Sequence, residues 1–137
     1  MLAQDGGSNS AIVSLSDEVI VYEDTIRKYA KEYDIEDYVS LLQAIMMQES
    51  GGKGNDPMQA SESGYNTKYP RVPNGITDPE YSIEVGTHTF SDCLKKAKVK
   101  DLSDTERIYL ALQAYDYDSG YIEWAIRNFG GYSKYNA

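Results

Sequence analysis

The 137-residue sequence carries one cysteine, one histidine and one tryptophan. A single thiol excludes an internal disulfide. One His and one Cys, with the acids not clustered at ligand spacings, cannot build a zinc site, so no metal and no cofactor is expected. No apolar run approaches the roughly 20 residues that a membrane helix needs. Basic residues are scarce: 13 Lys and Arg stand against 22 Asp and Glu, for a formal net charge of -9. Such a surface repels phosphate backbones, which argues against nucleic acid as a partner. A GxSxG element and a glycine-rich phosphate loop are also missing. The start, MLAQDGGSNS, lacks the basic residues and apolar stretch of a secretory signal. Residues 1–15 therefore read as a linker or an expression remnant, and 16–137 as one domain with one modest core.

What the chain does have is ordinary in bulk: 41% hydrophobic and 26% charged residues, as in a soluble globular protein. Tyrosine is the exception, with 13 copies against two Phe. A tyrosine ring offers an apolar face and a hydroxyl, which suits stacking on sugars and bonding their hydroxyls. The same amphipathic ring also fills half-buried helix faces. A neutral or weakly charged ligand such as a sugar polymer is compatible with the acidic balance.

Apolar spacing predicts an all-α, compact bundle of about five helices. Over 16–33, Val19, Tyr22, Ile26, Tyr29, Ala30 and Tyr33 recur every three or four residues, with Ser16 or Asp17 as N-cap. A second helix is predicted over 36–50, with Tyr38, Leu42 and Ile45 on one stripe and Glu49 next along it. Glycines 51, 52 and 54 stop that helix, and Asn55-Asp56-Pro57 directs the chain into an extended or turn conformation. Residues 61–77 read as a long irregular loop, the kind that is usually functional or mobile. Asp78-Pro79-Glu80 is a helix start, followed by the stripe Ile83, Gly86, Phe90, Leu94 and Ala97. Ser103 with Glu106 forms a capping box for a helix burying Ile108, Ala111, Leu112 and Tyr115. A last helix is predicted over 120–129, ended by Gly130-Gly131.

Among candidate reactive groups, His88 lies off its helix stripe and reads as solvated. Cys93, about 140° from it around the helix, reads as a small core residue. Glu49 is the carboxylate with a mechanism. An apolar stripe and the negative end of a helix both disfavour its ionised form, and a general acid needs its proton at near-neutral pH. Spacing leaves a second reading open, a glutamate at a fraying helix end whose carboxylate reaches water.

The run Gln48-Glu49-Ser50-Gly51-Gly52, followed by Asp56-Pro57-Met58-Gln59-Ala60-Ser61-Glu62-Ser63, resembles the active-site segment of the lytic transglycosylase and goose-type lysozyme superfamily. Three later segments agree in order: Asp78-Pro79-Glu80 with Ser82-Ile83 and Gly86; Ala111-Leu112-Gln113-Ala114-Tyr115-Asp116; and Gly130-Gly131-Tyr132-Ser133. The last looks like the CwlT-like branch, found in wall hydrolases of conjugative elements of Gram-positive bacteria. Each motif alone is weak. Four in order, over residues 19–133, are specific.

The resemblance implies a lysozyme-like domain that cleaves the MurNAc-GlcNAc bond of peptidoglycan glycan strands, with Glu49 as catalytic acid. By the same carry-over Ser50 helps to hold the acetamido sugar, Met58 and Gln59 line the glycan groove, and Tyr115 orients the glutamate. Asp56 matches a second acid that the CwlT-like branch has and ordinary lytic transglycosylases generally lack. A catalytic part in hydrolysis is expected for Asp56, as nucleophile or as base for a water, with a simple turn cap as the alternative. The family's Tyr-Asn is here Tyr115-Asp116, and an ionised Asp only accepts hydrogen bonds, which puts substrate fit around Asp116 in question. The resemblance further implies an extracellular, wall-associated setting reached through a signal or anchor outside this sequence. It also implies a fused C-terminal peptidase module and a link to conjugation machinery. A lytic transglycosylase and an inactive glycan-binding domain are the alternative activities.

Overall fold

The computed structural model describes residues 14–117. The predicted helix over 120–129, the Gly130–Ser133 motif and the N-terminal stretch lie outside the described residues. Within them the fold is all-α, with five α-helices, one 3-10 turn and no strand. The chain divides into two compact units, the division falling between Thr87 and His88.

The first unit opens with α1 (Asp17–Val21), capped by Ser16, whose side chain accepts the Val19 N–H. One continuous helix over 16–33 is expected from the apolar spacing, but the structure breaks it at Tyr22. There the Tyr22 N–H bonds to Val19 O at 3.1 Å, a three-residue closure that tightens the turn and ends α1. Helix α2 (Glu23–Glu32) then restarts and buries Ile26, Tyr29 and Ala30. It ends in a Schellman pattern: Asp34 takes φ 65, Ile35 N–H bonds to Ala30 O at 2.8 Å, and Asp34 N–H to Lys31 O at 3.2 Å.

A 3-10 turn (Glu36–Tyr38) leads into α3 (Val39–Glu49). The expected single stripe understates α3, which buries Val39, Leu42, Gln43, Ala44, Ile45 and Met46 and so is covered on nearly every side. It touches α1, α2 and the 3-10 turn. Helix α4 (Pro79–Lys96) begins as predicted, with Asp78 Oδ1 accepting the Glu80 N–H at 3.1 Å. Its first turn is pinned to α2, because Glu80 Oε2 accepts from the Tyr29 hydroxyl at 2.6 Å and from Lys28 Nζ at 3.0 Å. Burial, followed by the bond to Glu80, pushes the Tyr29 hydroxyl up to about 12.

The second unit contains the rest of α4 and α5 (Thr105–Tyr117). Phe90, Cys93, Leu94, Ala97, Ile108, Leu110, Ala111 and Ala114 are its buried apolar side chains. Cys93 is a buried core residue, as expected. His88 is half-buried rather than solvated. The capping box at Ser103 does not form. Ser103 instead donates its hydroxyl to Asp101 Oδ1 at 2.5 Å, and α5 starts after Asp104, whose carbonyl accepts the Ile108 N–H at 3.0 Å. Those bonds from Ser103 hold the Asp101 carboxyl below its usual range.

Candidate active site

Glu49 is the last residue of α3 and is half-buried. The chain leaves the helix through Ser50, and Gly51 adopts φ 67, a left-handed conformation that lets its N–H bond to Met47 O at 3.1 Å. Gly52 follows at φ 81. Ser50 ties this turn together: its hydroxyl donates to Pro57 O at 2.7 Å and accepts the Gly52 N–H at 2.9 Å. The turn after the glutamate is therefore closed by its own neighbour, and Ser50 spends its one donor on that closure.

Asp56 lies behind this turn. It is 2% exposed, and both carboxylate oxygens are occupied. Oδ1 accepts from Ala60 N–H at 3.0 Å and from the Ser82 hydroxyl at 2.8 Å. Oδ2 accepts from Ser61 N–H at 3.3 Å and from the Ser61 hydroxyl at 2.5 Å. Each serine relays a further backbone group: Ser82 Oγ accepts Met58 N–H at 3.0 Å, and Ser61 Oγ accepts Ile76 N–H at 2.8 Å. One buried carboxylate thus fastens the start of the loop, its far end and helix α4 at one point.

Met58 is fully buried, below the surface rather than on it. Gln59 is exposed and left-handed (φ 49), and its Nε2 donates to Asp56 O at 3.1 Å and to Asn74 Oδ1 at 2.8 Å. Across the loop, Asn66 is 1% exposed and acts as a second brace. Its Nδ2 donates to Ser61 O at 2.7 Å and Tyr69 O at 3.0 Å, while its Oδ1 accepts Tyr69 N–H at 3.1 Å. Arg71 Nε donates to the Asn66 carbonyl at 2.9 Å. The segment read as a long irregular loop has no regular secondary structure, yet it is cross-braced throughout.

Ser61 and Ser82 fall within the motif runs but drew no role there, and Asn66 lies outside them. Ser82 carried a signal, being a small polar residue four before Gly86 on the buried face of α4. Asn66 carried only the general demand that a long loop satisfy its backbone groups. In the second unit, Tyr115 is half-buried on α5, with its ring edge-on to Phe90 at 6.3 Å between centroids, and Asp116 is exposed. No group of three or more acids, His or Cys able to hold a metal occurs among the described residues.

Comparison with known proteins bears on this geometry. A family model described as lysozyme-like matches residues 16–137. The bifunctional muramidase/DL-endopeptidase CwlT of Bacillus subtilis (strain 168) is 38% identical over 129 residues, covering 94% of this chain and 36% of that protein. The uncharacterized membrane protein YocA of the same strain is 34% identical over 113 residues, covering 82% of this chain and 46% of that one. A crystal structure described as similar to lipoprotein, NLP/P60 family, from Staphylococcus aureus subsp. aureus Mu50 superposes with a TM-score of 0.69 at 37% identity, over 85% of this chain and 36% of that chain. The chain spans between about a third and a half of the length of these relatives.

Proposed function

This chain belongs to the lysozyme-like family, and we propose that it is a peptidoglycan-cleaving glycosidase, an N-acetylmuramidase with Glu49 as its general acid. The observation that carries the reading is the placement of Glu49: a half-buried carboxyl group closing the central helix, on a turn fixed by Ser50 and Gly51. The name of the CwlT relative, a muramidase, supports the bond chosen. The Glu49 proton passes to the glycosidic oxygen between N-acetylmuramic acid and N-acetylglucosamine as the C1–O bond breaks. Water then attacks the oxocarbenium-like C1 and passes its proton to the Glu49 carboxylate, leaving a reducing end and restoring the acid. No metal or cofactor enters this scheme.

The other carried-over residues take graded parts in it. Gln59, exposed, offers its amide oxygen to a sugar hydroxyl, its two N–H donors being held by Asp56 O and Asn74 Oδ1, while Ser50 and Met58 shape the turn and the floor beneath. Tyr115 and Asp116, on α5, keep the parts that the resemblance of the sequence motifs gives them. Asp56 takes an indirect part, since direct attack on the sugar requires it to leave four donors. That same observation favours a second reading at the capture step alone. A lytic transglycosylase needs no second acid, because the muramyl 6-hydroxyl attacks C1 and forms a 1,6-anhydro ring.

The setting is part of the proposal. One relative's name joins a muramidase to a DL-endopeptidase, the solved structure is described as similar to an NLP/P60 family lipoprotein, and another relative is named a membrane protein. A peptidase module beside this domain is proposed from that likeness, whereas action on the wall outside the cell and service to conjugation machinery rest on the resemblance of the sequence motifs alone.

Turbidity of purified cell walls tests the acid. Native protein is expected to clear them, and Glu49→Gln to lower turnover at least about a hundredfold with unchanged helix content. Native protein that binds walls without clearing them would make this a glycan-binding domain. Mass spectrometry of released muropeptides separates reducing ends from 1,6-anhydro products and so decides the capture step.

A further inference from the structure

The short helix α1 does more than begin the chain. Ser16 N–H lies 3.4 Å from Met47 Sδ, in the last turn of α3. The Ser16 hydroxyl accepts Val19 N–H at 3.1 Å and donates to Gly51 O at 2.7 Å, two residues beyond Glu49. Gly52 completes the contact. A Cβ built there would stand 2.8 Å from Val19 N and 2.9 Å from Glu18 Cβ, so the turn after Glu49 presses directly against the first turn of α1. Ser50 holds the same turn from the other side through Pro57 O. The turn is clamped between two serine hydroxyls.

We propose that Ser16 is a positioning residue for Glu49, its hydroxyl fixing the Gly51 carbonyl and thereby the end of α3 that carries the acid. The inference rests on the glycosidase reading for its effect on rate, and on geometry alone for its effect on the turn. Ser16 plays two parts that chemistry can separate. As an N-cap it needs only an acceptor, while the clamp needs a donor. Aspartate caps a helix as well as serine does but, ionised, has no proton to give. Glycine at a cap position is nearly as well tolerated as serine and also lacks a side-chain donor. Threonine keeps both functions.

The test compares Ser16→Gly, Ser16→Asp and Ser16→Thr with native protein in three measurements: unfolding midpoint, amide hydrogen exchange, and kcat against KM on purified walls. Ser16→Gly and Ser16→Asp are expected to hold the midpoint near native and to speed exchange at Ser50–Gly52, but not at the centre of α3. Both should lower kcat roughly tenfold with little change in KM, since small displacements of an acid act on the chemical step. Ser16→Thr should restore both. Native exchange at Ser50–Gly52 in the Gly and Asp variants overturns the clamp. Native kcat in those variants overturns the positioning role. So does a loss of rate that follows the unfolding midpoint in all three variants. If native protein and Glu49→Gln are alike in failing to clear walls, the glycosidase reading fails, and the exchange comparison still decides the clamp.

Discussion

Two segments meet at Glu49, and they are held by different physics. The helix before it, α3, is covered on nearly all sides by apolar contacts, with Leu42 and Met46 fully buried. The chain after it, from Ser50 to Asp78, has no regular secondary structure and hangs on a few polar side chains, chiefly Asp56, Ser61 and Asn66. Apolar burial is non-directional and tolerant of small shifts. Hydrogen bonds at buried donors are directional, and each lost partner leaves a group that water cannot reach. The acid therefore has a forgiving support on one side and an exacting one on the other.

The largest expected effect comes from breaking the exacting side. Asp56→Ala strands four donors and should cost about 4 kcal/mol or more, against about 3 kcal/mol for Leu42→Ala on the forgiving side. Asp56→Asn should destabilise in the same direction, because its amide turns a donor toward other donors. Urea unfolding of the three variants measures this. An Asp56→Ala cost below that of an average surface change would show that the loop stands without its carboxylate. Next comes Asn66→Ala, which removes one brace and should cost about 2 kcal/mol. Its sharper signature is local: limited proteolysis within residues 61–77 should quicken while α3 keeps its protection from exchange.

Smaller effects sharpen the contrast from within α4. Thr87 is fully buried, and its hydroxyl finds no hydrogen-bond partner among the described residues. Thr87→Val keeps the shape and removes that group, so it should stabilise by about 1 kcal/mol, read as a rise in urea midpoint. The smallest effect concerns Tyr29, whose hydroxyl titrates at about 12 rather than the ordinary 10.0. The folded state holds that proton more tightly than the unfolded chain does. Its contribution is therefore complete below pH 10 and lost as pH rises toward 12. Ultraviolet titration of native protein against Tyr29→Phe should show one late-ionising tyrosine fewer.

The same contrast explains what the sequence made legible. Apolar spacing and caps located every described helix, and Ser16 and Asp78 cap as their residue types suggest. Glu49 stood out because it closes an apolar stripe. The break at Tyr22 did not, since a three-residue hydrogen bond leaves the apolar spacing unchanged. Nor did the failed cap at Ser103, where Asp101 two residues earlier competes for the hydroxyl. Asp56 was legible as an acid near the site but not as a buried one. Its partners Ser61 and Ser82 lie up to 26 residues away, and polar contacts at that range follow no period.

Gln59 and Asn74 both sit at positive φ, 49° and 58°, and are joined by one side-chain bond of 2.8 Å. A left-handed residue with a side chain costs about 1 kcal/mol or more relative to glycine. Glycine at position 59 would relax the backbone and, in the same step, erase the amide that latches one end of the loop to the other. The two effects oppose each other, so the strain at Gln59 is held in place by the latch that its own side chain makes.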